Sequence, residues 1–371
     1  MVERDGTSAP LWFAVEPPWA EFLTADRLDS FMLALLPSAM RLGMDLRVRG
    51  AVSERLFYNL SHHYSRILAL LSPGLHRVRI LPDELVRTPL REGPGGVVTA
   101  FSGGVDSFAV FADHYLAAVP ATYRITHALN ANVGAHGRTE ESSALFRVRT
   151  ERFRPVLDEW GVPLVRVDSN LHQVVHVRTG LVPQLDLART HPVRNAAAAL
   201  VLQRLFGRYL YGSGYSYRDC HIGGRPDIAG ADPAAMHLLS TETTESVSVG
   251  CQYTRVEKTA RIADVTQARR HLDVCSKRLS GGNCSVCRKC ARTLLTLEVL
   301  GRLEDFRDVF NLEKYRQVRS RHLVLALEGR EPLLREIAQA IRVRKFPVPL
   351  ACRVSAALGL HGCWPGRRLL K

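Results

Sequence analysis

The stretch Val97-Val98-Thr99-Ala100-Phe101-Ser102-Gly103-Gly104-Val105-Asp106-Ser107-Phe108 decides how this chain is read. A short apolar run of strand character comes first. A turn with two glycines, bounded by serines, follows it, and an apolar-periodic stretch begins at Phe108. Strand, tight turn and helix in that order make a device for gripping phosphate. Glycines let the backbone approach an anion and turn their N–H groups toward it. The first turn of the helix adds unpaired N–H groups and the positive end of its dipole. Ser102 and Ser107 add hydroxyl donors. Asp106 makes sense beside phosphate if it helps to hold Mg2+, directly or through water. The plainer alternative is an ordinary strand-to-helix turn, with glycine for tightness and Ser or Asp for capping. The turn lacks the Lys-Ser/Thr ending of a Walker loop, which argues against an NTPase that cleaves the γ-phosphate.

The alternation around this stretch sets the fold class. Strands are expected at 125–131, 164–167 and 209–212. Helices are expected at 140–160, kinked or divided by Pro155, and at 194–205. Over 93–270 this pattern predicts an α/β fold with a doubly wound parallel sheet, whose ligands sit beyond the carboxyl ends of the strands. Residues 1–92 read as a small α+β module that extends the main sheet in one placement. Its strands are expected at 11–15, 46–49 and 78–80. One helix covers 26–36, capped by Asp26 and stopped by Pro37; a second covers 53–71, capped by Ser53. Residues 271–300 form a cysteine-bearing segment, and 301–371 a largely helical, Arg-rich tail.

Four of the eight cysteines, Cys275, Cys284, Cys287 and Cys290, are spaced C-x8-C-x2-C-x2-C. Two residues between cysteines let both thiolates reach one ion from a single turn, and Cys275 completes a tetrahedron. That donor set describes a structural Zn2+ site. Gly281-Gly282-Asn283 supplies the turn, and Arg288, Lys289 and Arg292 offset the charge of four thiolates. Redox-active thiols and an iron–sulfur cluster remain the alternatives.

The net charge is +14 and the isoelectric point about 9.8. Such a surplus suggests polyanionic partners. The arginines are spread along the chain, as a genome rich in G and C would produce, so nucleic acid is the less favoured partner. No stretch approaches the length of a membrane span, and the first residues lack the layout of a signal peptide. A cytoplasmic protein without membrane contact is the expectation.

The string Ser102–Ser107 resembles the SGGxDS signature of the PP-loop ATP pyrophosphatases. Together with the cysteine spacing, it resembles the 7-cyano-7-deazaguanine synthase branch of that superfamily. Three weaker matches lie between the two motifs: Arg194-Asn195 after His191-Pro192, Gly212-Ser213-Gly214 through Asp219, and Arg255-Val256-Glu257-Lys258-Thr259. The resemblance covers about residue 95 to about residue 295. It implies ATP, Mg2+ and Zn2+ as cofactors and an AMP-forming C–N ligase. A carboxylate is adenylylated and ammonia or an amine displaces AMP; a second activation turns the amide into a nitrile. On this resemblance Ser102, Gly103, Gly104, Val105, Asp106 and Ser107 cradle pyrophosphate and Mg2+. Lys258 reaches the β/γ-phosphates, and Arg194 clamps the α-phosphate or the substrate carboxylate. The loop from Asn132 to His136 departs from the family's substrate signature and leaves the acceptor open.

Other readings stay in view. A PP-loop sulfurtransferase acting on tRNA or a small molecule would need a persulfide carrier, for which Cys220 and Cys251 are the candidates. A non-catalytic nucleotide sensor is the third class. His136 and His191 are proton-shuttle candidates set against structural roles, and Asn195 caps its helix or binds nucleotide. Glu242 and Glu245 read as capping or surface groups. The expected partners are a small-molecule carboxylate and an amine donor, and a homodimer is left open.

Overall fold

The computed structural model describes residues 1–72, 74–135, 141–176, 190–223, 227–275 and 282–359. The chain divides into two compact units. One comprises Met1–Phe101 and Asp113–Cys251; the other comprises Ser102–Ala112 and Gln252–Lys371.

The first unit is an α/β structure built on a six-stranded sheet. Its strands are β1 (Phe13–Val15), β2 (Gly96–Ala100), β3 (His127–Ala131), β4 (Leu164–Ser169), β5 (Phe206–Gly212) and β6 (Glu245–Val249), in the spatial order β6-β5-β2-β3-β4-β1. Five strands are parallel, and β1 joins the edge antiparallel to β4. Val97 and Val98 are both buried, so β2 is covered on both faces. The chain order reverses at β2, which pairs with β3 on one side and β5 on the other. In such sheets that switch point, at the carboxyl ends of the strands, is where ligands bind. The Phe101 N–H still donates to the Leu129 carbonyl at 2.9 Å. The next residue, Ser102, is where the chain leaves the sheet.

β6 was absent from the sequence expectations. Glu-Ser-Val-Ser-Val has only two apolar residues, and its polar groups are satisfied locally: the Ser246 N–H donates to Ser240 Oγ at 3.0 Å, and Glu245 pairs with Arg208. The N-terminal module contributes β1 to the main sheet. Of its other strands, Val2–Arg4 and Thr7–Ala9 form a two-stranded antiparallel sheet, and Leu46–Ser53 and Ile80–Val86 a two-stranded parallel one, so the expected strand at 78–80 begins where that reading ended.

Two prolines do not end their helices. The helix Asp29–Leu42 runs through Pro37 to Gly43, whose φ is +67°. An interior proline costs roughly 3 kcal/mol. Continuing the helix buries Met40 completely, and full burial of one such side chain returns roughly 1.5–3 kcal/mol. The helix also starts later than expected, because Asp26 pairs with Arg204 and leaves its capping role. Helix Glu141–Trp160 likewise continues past Pro155, with Val156, Leu157 and Trp160 buried beyond it. Ser53 caps the next helix as expected, accepting from the Leu56 N–H. The helix expected at 194–205 spans His191–Leu200, opened by Pro192. Its Ala196–Ala199 face is fully buried and packs close against Asp29–Leu42.

The second unit is helical: α1 (Val105–Phe111), α2 (Arg255–Ala263), α3 (Thr266–His271), α4 (Arg288–Val299), α5 (Leu312–Glu328), α6 (Pro332–Val343) and α7 (Leu350–Ala357). α1 packs on α2, α2 on α4 and α6, and α5 on α4, α6 and α7. α1 begins three residues before Phe108, so Asp106 and Ser107 belong to its first turn. Among the described residues no helix is long and apolar enough to cross a membrane.

Candidate anion site and thiol cluster

The turn before α1 is held by its own side chains. The Ser102 N–H donates to Ser107 Oγ at 3.0 Å, and the two hydroxyl oxygens lie 2.9 Å apart. Gly103 has φ +69°, a left-handed conformation that costs an L side chain roughly 1–2 kcal/mol. Its carbonyl accepts the Asp273 N–H at 2.8 Å. Gly104 is the N-cap of α1 and brings no side chain to it, and the Asp273 side chain stands beside Gly103.

Asp106 projects from the first turn into a group of cations. Arg255 Nη2 lies 2.9 Å from Asp106 Oδ2, and Lys258 Nζ donates to Asp106 Oδ1 at 3.3 Å. Lys258 is 1% exposed. Both cations come from one face of α2, three residues apart. A capping box fixes where that helix starts: Thr254 Oγ1 accepts the Glu257 N–H and Glu257 accepts the Thr254 N–H. Glu336 on α6 accepts the Arg255 N–H at 2.7 Å. Burial works against the Asp106 charge, but Arg255 and Lys258 together outweigh it and hold its carboxyl below the ordinary value. Lys289 is held below the ordinary lysine value by desolvation and then by Arg292 and Arg255, although part of its surface stays in water. The sequence reading set Lys289 and Arg292 beside the cysteines alone. Lys289 also stands within electrostatic reach of Arg255 and of Asp106. Arg288 instead pairs with Glu331.

The four cysteines come together as their spacing implied. The sulfurs of Cys275, Cys284, Cys287 and Cys290 all lie within 4.8 Å of one another, with Cys284 and Cys290 3.9 Å apart. A tetrahedron with metal–sulfur bonds of about 2.3 Å has edges of about 3.8 Å, so the donor set fits one ion such as zinc. Burial pushes the Cys284 thiol up, and the Cys287 contact and burial push Cys290 up further. A dication is what allows such crowded thiols to ionise together.

Asn283 closes the turn before Cys284. Its Oδ1 accepts the Val274 N–H at 2.9 Å, and its Nδ2 donates to the carbonyls of Leu272 and Val309. The segment from Asp273 to Cys275 therefore joins the two motifs. Asp273 binds the Gly103 carbonyl through its N–H, and its carboxylate accepts the Cys275 N–H at 3.2 Å. Sequence spacing gave no sign of this link.

Arg194 lies in the other unit, on helix His191–Leu200. It is 1% exposed and donates to the Val133 carbonyl at 3.2 Å. Nearby, Asn132 Nδ2 donates to Asp168 Oδ1 at 2.8 Å, and burial lowers the His172 pKa, with Asp168 and Arg194 acting on it in opposite senses. His191 Nδ1 lies 2.8 Å from the Tyr211 hydroxyl, which also hydrogen-bonds Asp232. Glu242 accepts the Arg55 N–H and the Ser53 hydroxyl, a capping role as the sequence reading had it. Cys251 is buried, and burial followed by Cys251 raises the Cys220 thiol. His136 and Gly281 lie outside the described residues.

Comparison with known proteins returns no match to a family model, to a curated protein or to a solved structure.

Proposed function

We propose that this chain is an ATP-dependent enzyme of the PP-loop type. It would release pyrophosphate, adenylylate a carboxylate or amide, and pass the activated acyl group to ammonia or an amine, as the 7-cyano-7-deazaguanine synthases it resembles do. The observation that carries the reading is the pairing of Asp106, on the Ser102–Ser107 turn, with Arg255 and Lys258, 149 and 152 residues away. Two cations converge on the carboxylate of a turn that also carries two glycines and an exposed serine, and a bare strand-to-helix turn has no use for them. Pyrophosphate is a leaving group on which charge builds, and fixed donors aimed at that charge are the largest lever such a site has. The sheet order supports the reading as well, because the turn follows the strand at the switch point.

In this reading the turn N–H groups and the serine hydroxyls bind the β/γ-phosphates. Lys258 and Arg255 move from the Asp106 carboxylate to phosphate oxygens. Mg2+ held by Asp106 would supply further neutralisation of the leaving group. Zinc at the four cysteines would be structural, bracing the Gly103 turn through Asp273. A single ion suits sulfurs this close better than a multi-iron cluster, whose bulk would spread them. For Arg194, in the other unit, a clamp role for the α-phosphate or the carboxylate rests on the resemblance alone.

The sulfurtransferase alternative is weaker. A persulfide carrier works as a thiolate, whereas Cys220 is shifted the wrong way and Cys251 is 1% exposed. The test is a screen of small carboxylates for Mg2+-dependent release of AMP and pyrophosphate, with mass spectrometry of the products. AMP and an amide or nitrile are expected. ADP as the nucleotide product would overturn the proposal, and so would loss of activity in both Cys220→Ser and Cys251→Ser.

A further inference from the structure

The formal charge of the chain is not shared between its two units. Residues 1–101 and 113–251 carry 25 arginines, no lysine and 24 carboxylates; residues 102–112 and 252–371 carry 25 cations against 12 carboxylates. All six lysines, at 258, 277, 289, 314, 345 and 371, fall in the second unit. A genome rich in G and C enriches arginine everywhere and disfavours lysine everywhere. It accounts for the first unit and not for the second.

The surplus also has a place. Arg316 on α5, and Arg342, Arg344 and Lys345 at the carboxyl end of α6, are exposed. None of the four makes an ion pair among the described residues. Arg319, three residues after Arg316 and so on the same helix face, stands over the Phe346 ring at 5.9 Å. That contact sets the turn carrying Arg344 and Lys345 against the side of α5 that bears Arg316. Lys345 has φ +52°, which reverses the chain just after α6 and leaves its ammonium at the surface. In the first unit several exposed arginines are paired, although Arg41, Arg66 and Arg77 make no ion pair among the described residues. Arg47, Arg49, Arg79 and Arg87 are each paired, with Asp83, Glu3, Asp45 and Glu54.

We infer that the Arg316–Arg342–Arg344–Lys345 face of the second unit binds the sugar-phosphate backbone of a nucleic acid without reading its sequence. Unpaired cations on one face, in a unit with a surplus of 13 positive charges, are the footprint of a phosphate-tracking surface. Among the described residues of this unit no aromatic side chain is strongly exposed. The base-stacking platform of a sequence-tolerant single-strand binder is thus missing, and backbone contact is what remains. An anionic bilayer is the competing occupant, because Val343, Leu350, Val354 and Leu358 are exposed. However, α7 has eight residues and no aromatic, short of the helices that lie in membrane interfaces. The inference uses no residue of the Asp106 site and stands or falls apart from the adenylylation chemistry.

The test is fluorescence anisotropy with the full chain. Labelled single-stranded RNA, duplex RNA and duplex DNA of about 30 nucleotides are the probes, over about 50 to 300 mM salt. The wild type should bind at least one of them, and the order among the three identifies the polymer. Neutralising Arg316, Arg342, Arg344 and Lys345 together to Gln should lower the slope of log K against log salt by about 3, at about 0.7–0.9 per lost phosphate contact. The double change Arg342→Gln with Arg344→Gln should take about half of that, and serves if the quadruple variant does not fold. Neutralising Arg47, Arg49, Arg79 and Arg87 to Gln removes as much charge and should leave the slope unchanged. Absence of binding to all three probes at about 50 mM salt would overturn the inference. Equal losses in the two quadruple variants would do the same, as would binding to phosphatidylserine vesicles but not to the nucleic acids.

Discussion

Two aspartates, one in each compact unit, meet burial in opposite ways. Asp106 lies between Arg255 and Lys258, and its carboxyl is held below the ordinary value despite the cost of desolvation. Asp232 is 2% exposed, and its Oδ2 has no hydrogen-bond partner among the described residues. Desolvation comes first in pushing its carboxyl well above the ordinary value and Asp227 adds to it, while the Tyr211 hydrogen bond gives only partial relief. The residue type is the same, and the difference lies in the neighbours. One site stores a negative charge with two cations ready to exchange it for phosphate. The other holds its proton to higher pH than a solvated carboxyl would. A charge kept ionised at the cost of burying Lys258 beside it is hard to justify by stability alone, which is why we place the chemistry at Asp106.

The widest-reaching way to break this comparison is to remove the brace under the Asp106 site. Cys287→Ser takes away one of four sulfurs that are tied to the Gly103 turn through Asp273. We expect the purified wild type to contain one zinc per chain by elemental analysis and the variant to contain much less. Structural zinc contributes on the order of 10 kcal/mol in small domains, so a melting point lowered by about 10 °C or more is expected. Iron with visible charge-transfer absorbance, or full zinc retention in the variant, would show that the four thiols serve another purpose.

A narrower change tests the site itself. Lys258→Met keeps the bulk of the side chain and removes the ammonium. Asp106 is left with Arg255 alone, and a phosphate donor is lost. Pyrophosphate release should fall by about 100- to 1000-fold, the usual cost of losing one fixed donor to developing charge, together with a lower melting point at neutral pH from the lost partner of Asp106. A loss of stability without loss of turnover would make Lys258 a structural partner of Asp106 and nothing more.

How much of this was legible beforehand follows from how local each signal is. The Ser102–Ser107 turn and the C-x2-C-x2-C run are short-range, so spacing alone set their geometry. The parallel strands showed where apolar runs were continuous. β6 stayed hidden because Ser246 and Ser248 sit where an apolar residue would have announced a strand. Pro37 misled for a related reason: a proline is visible in sequence, whereas the burial of Met40 that outweighs it is not, and Pro155 likewise does not divide its helix. Arg255 was passed over in favour of Lys258, since nothing in the string Arg255–Thr259 says that both face one carboxylate. The concentration of lysine in one unit was invisible until the units were known, because the second unit is assembled from two separated pieces of chain.

The smallest expected effect is the sharpest probe of the contrast between the two aspartates. Asp232→Asn keeps the shape and the Tyr211 contact but cannot ionise. A carboxyl whose folded-state pKa is raised gives stability that is fully present below its unfolded value, about 3.9, and is lost as pH rises through the folded value. Wild type and Asp232→Asn should therefore melt together near pH 4, and the variant should become the more stable of the two as pH rises. Asp106→Asn should do the reverse. A depressed carboxyl gives stability that is present above about pH 3.9 and is lost as pH falls toward the lower folded value. That variant should be the less stable at neutral pH and should converge on the wild type in acid. Melting curves of the three proteins from about pH 3 to pH 8 read both signs in one experiment. Parallel curves for the two variants would mean that the cations around Asp106 do not set its charge, and the case for a phosphate site there would lose its electrostatic basis.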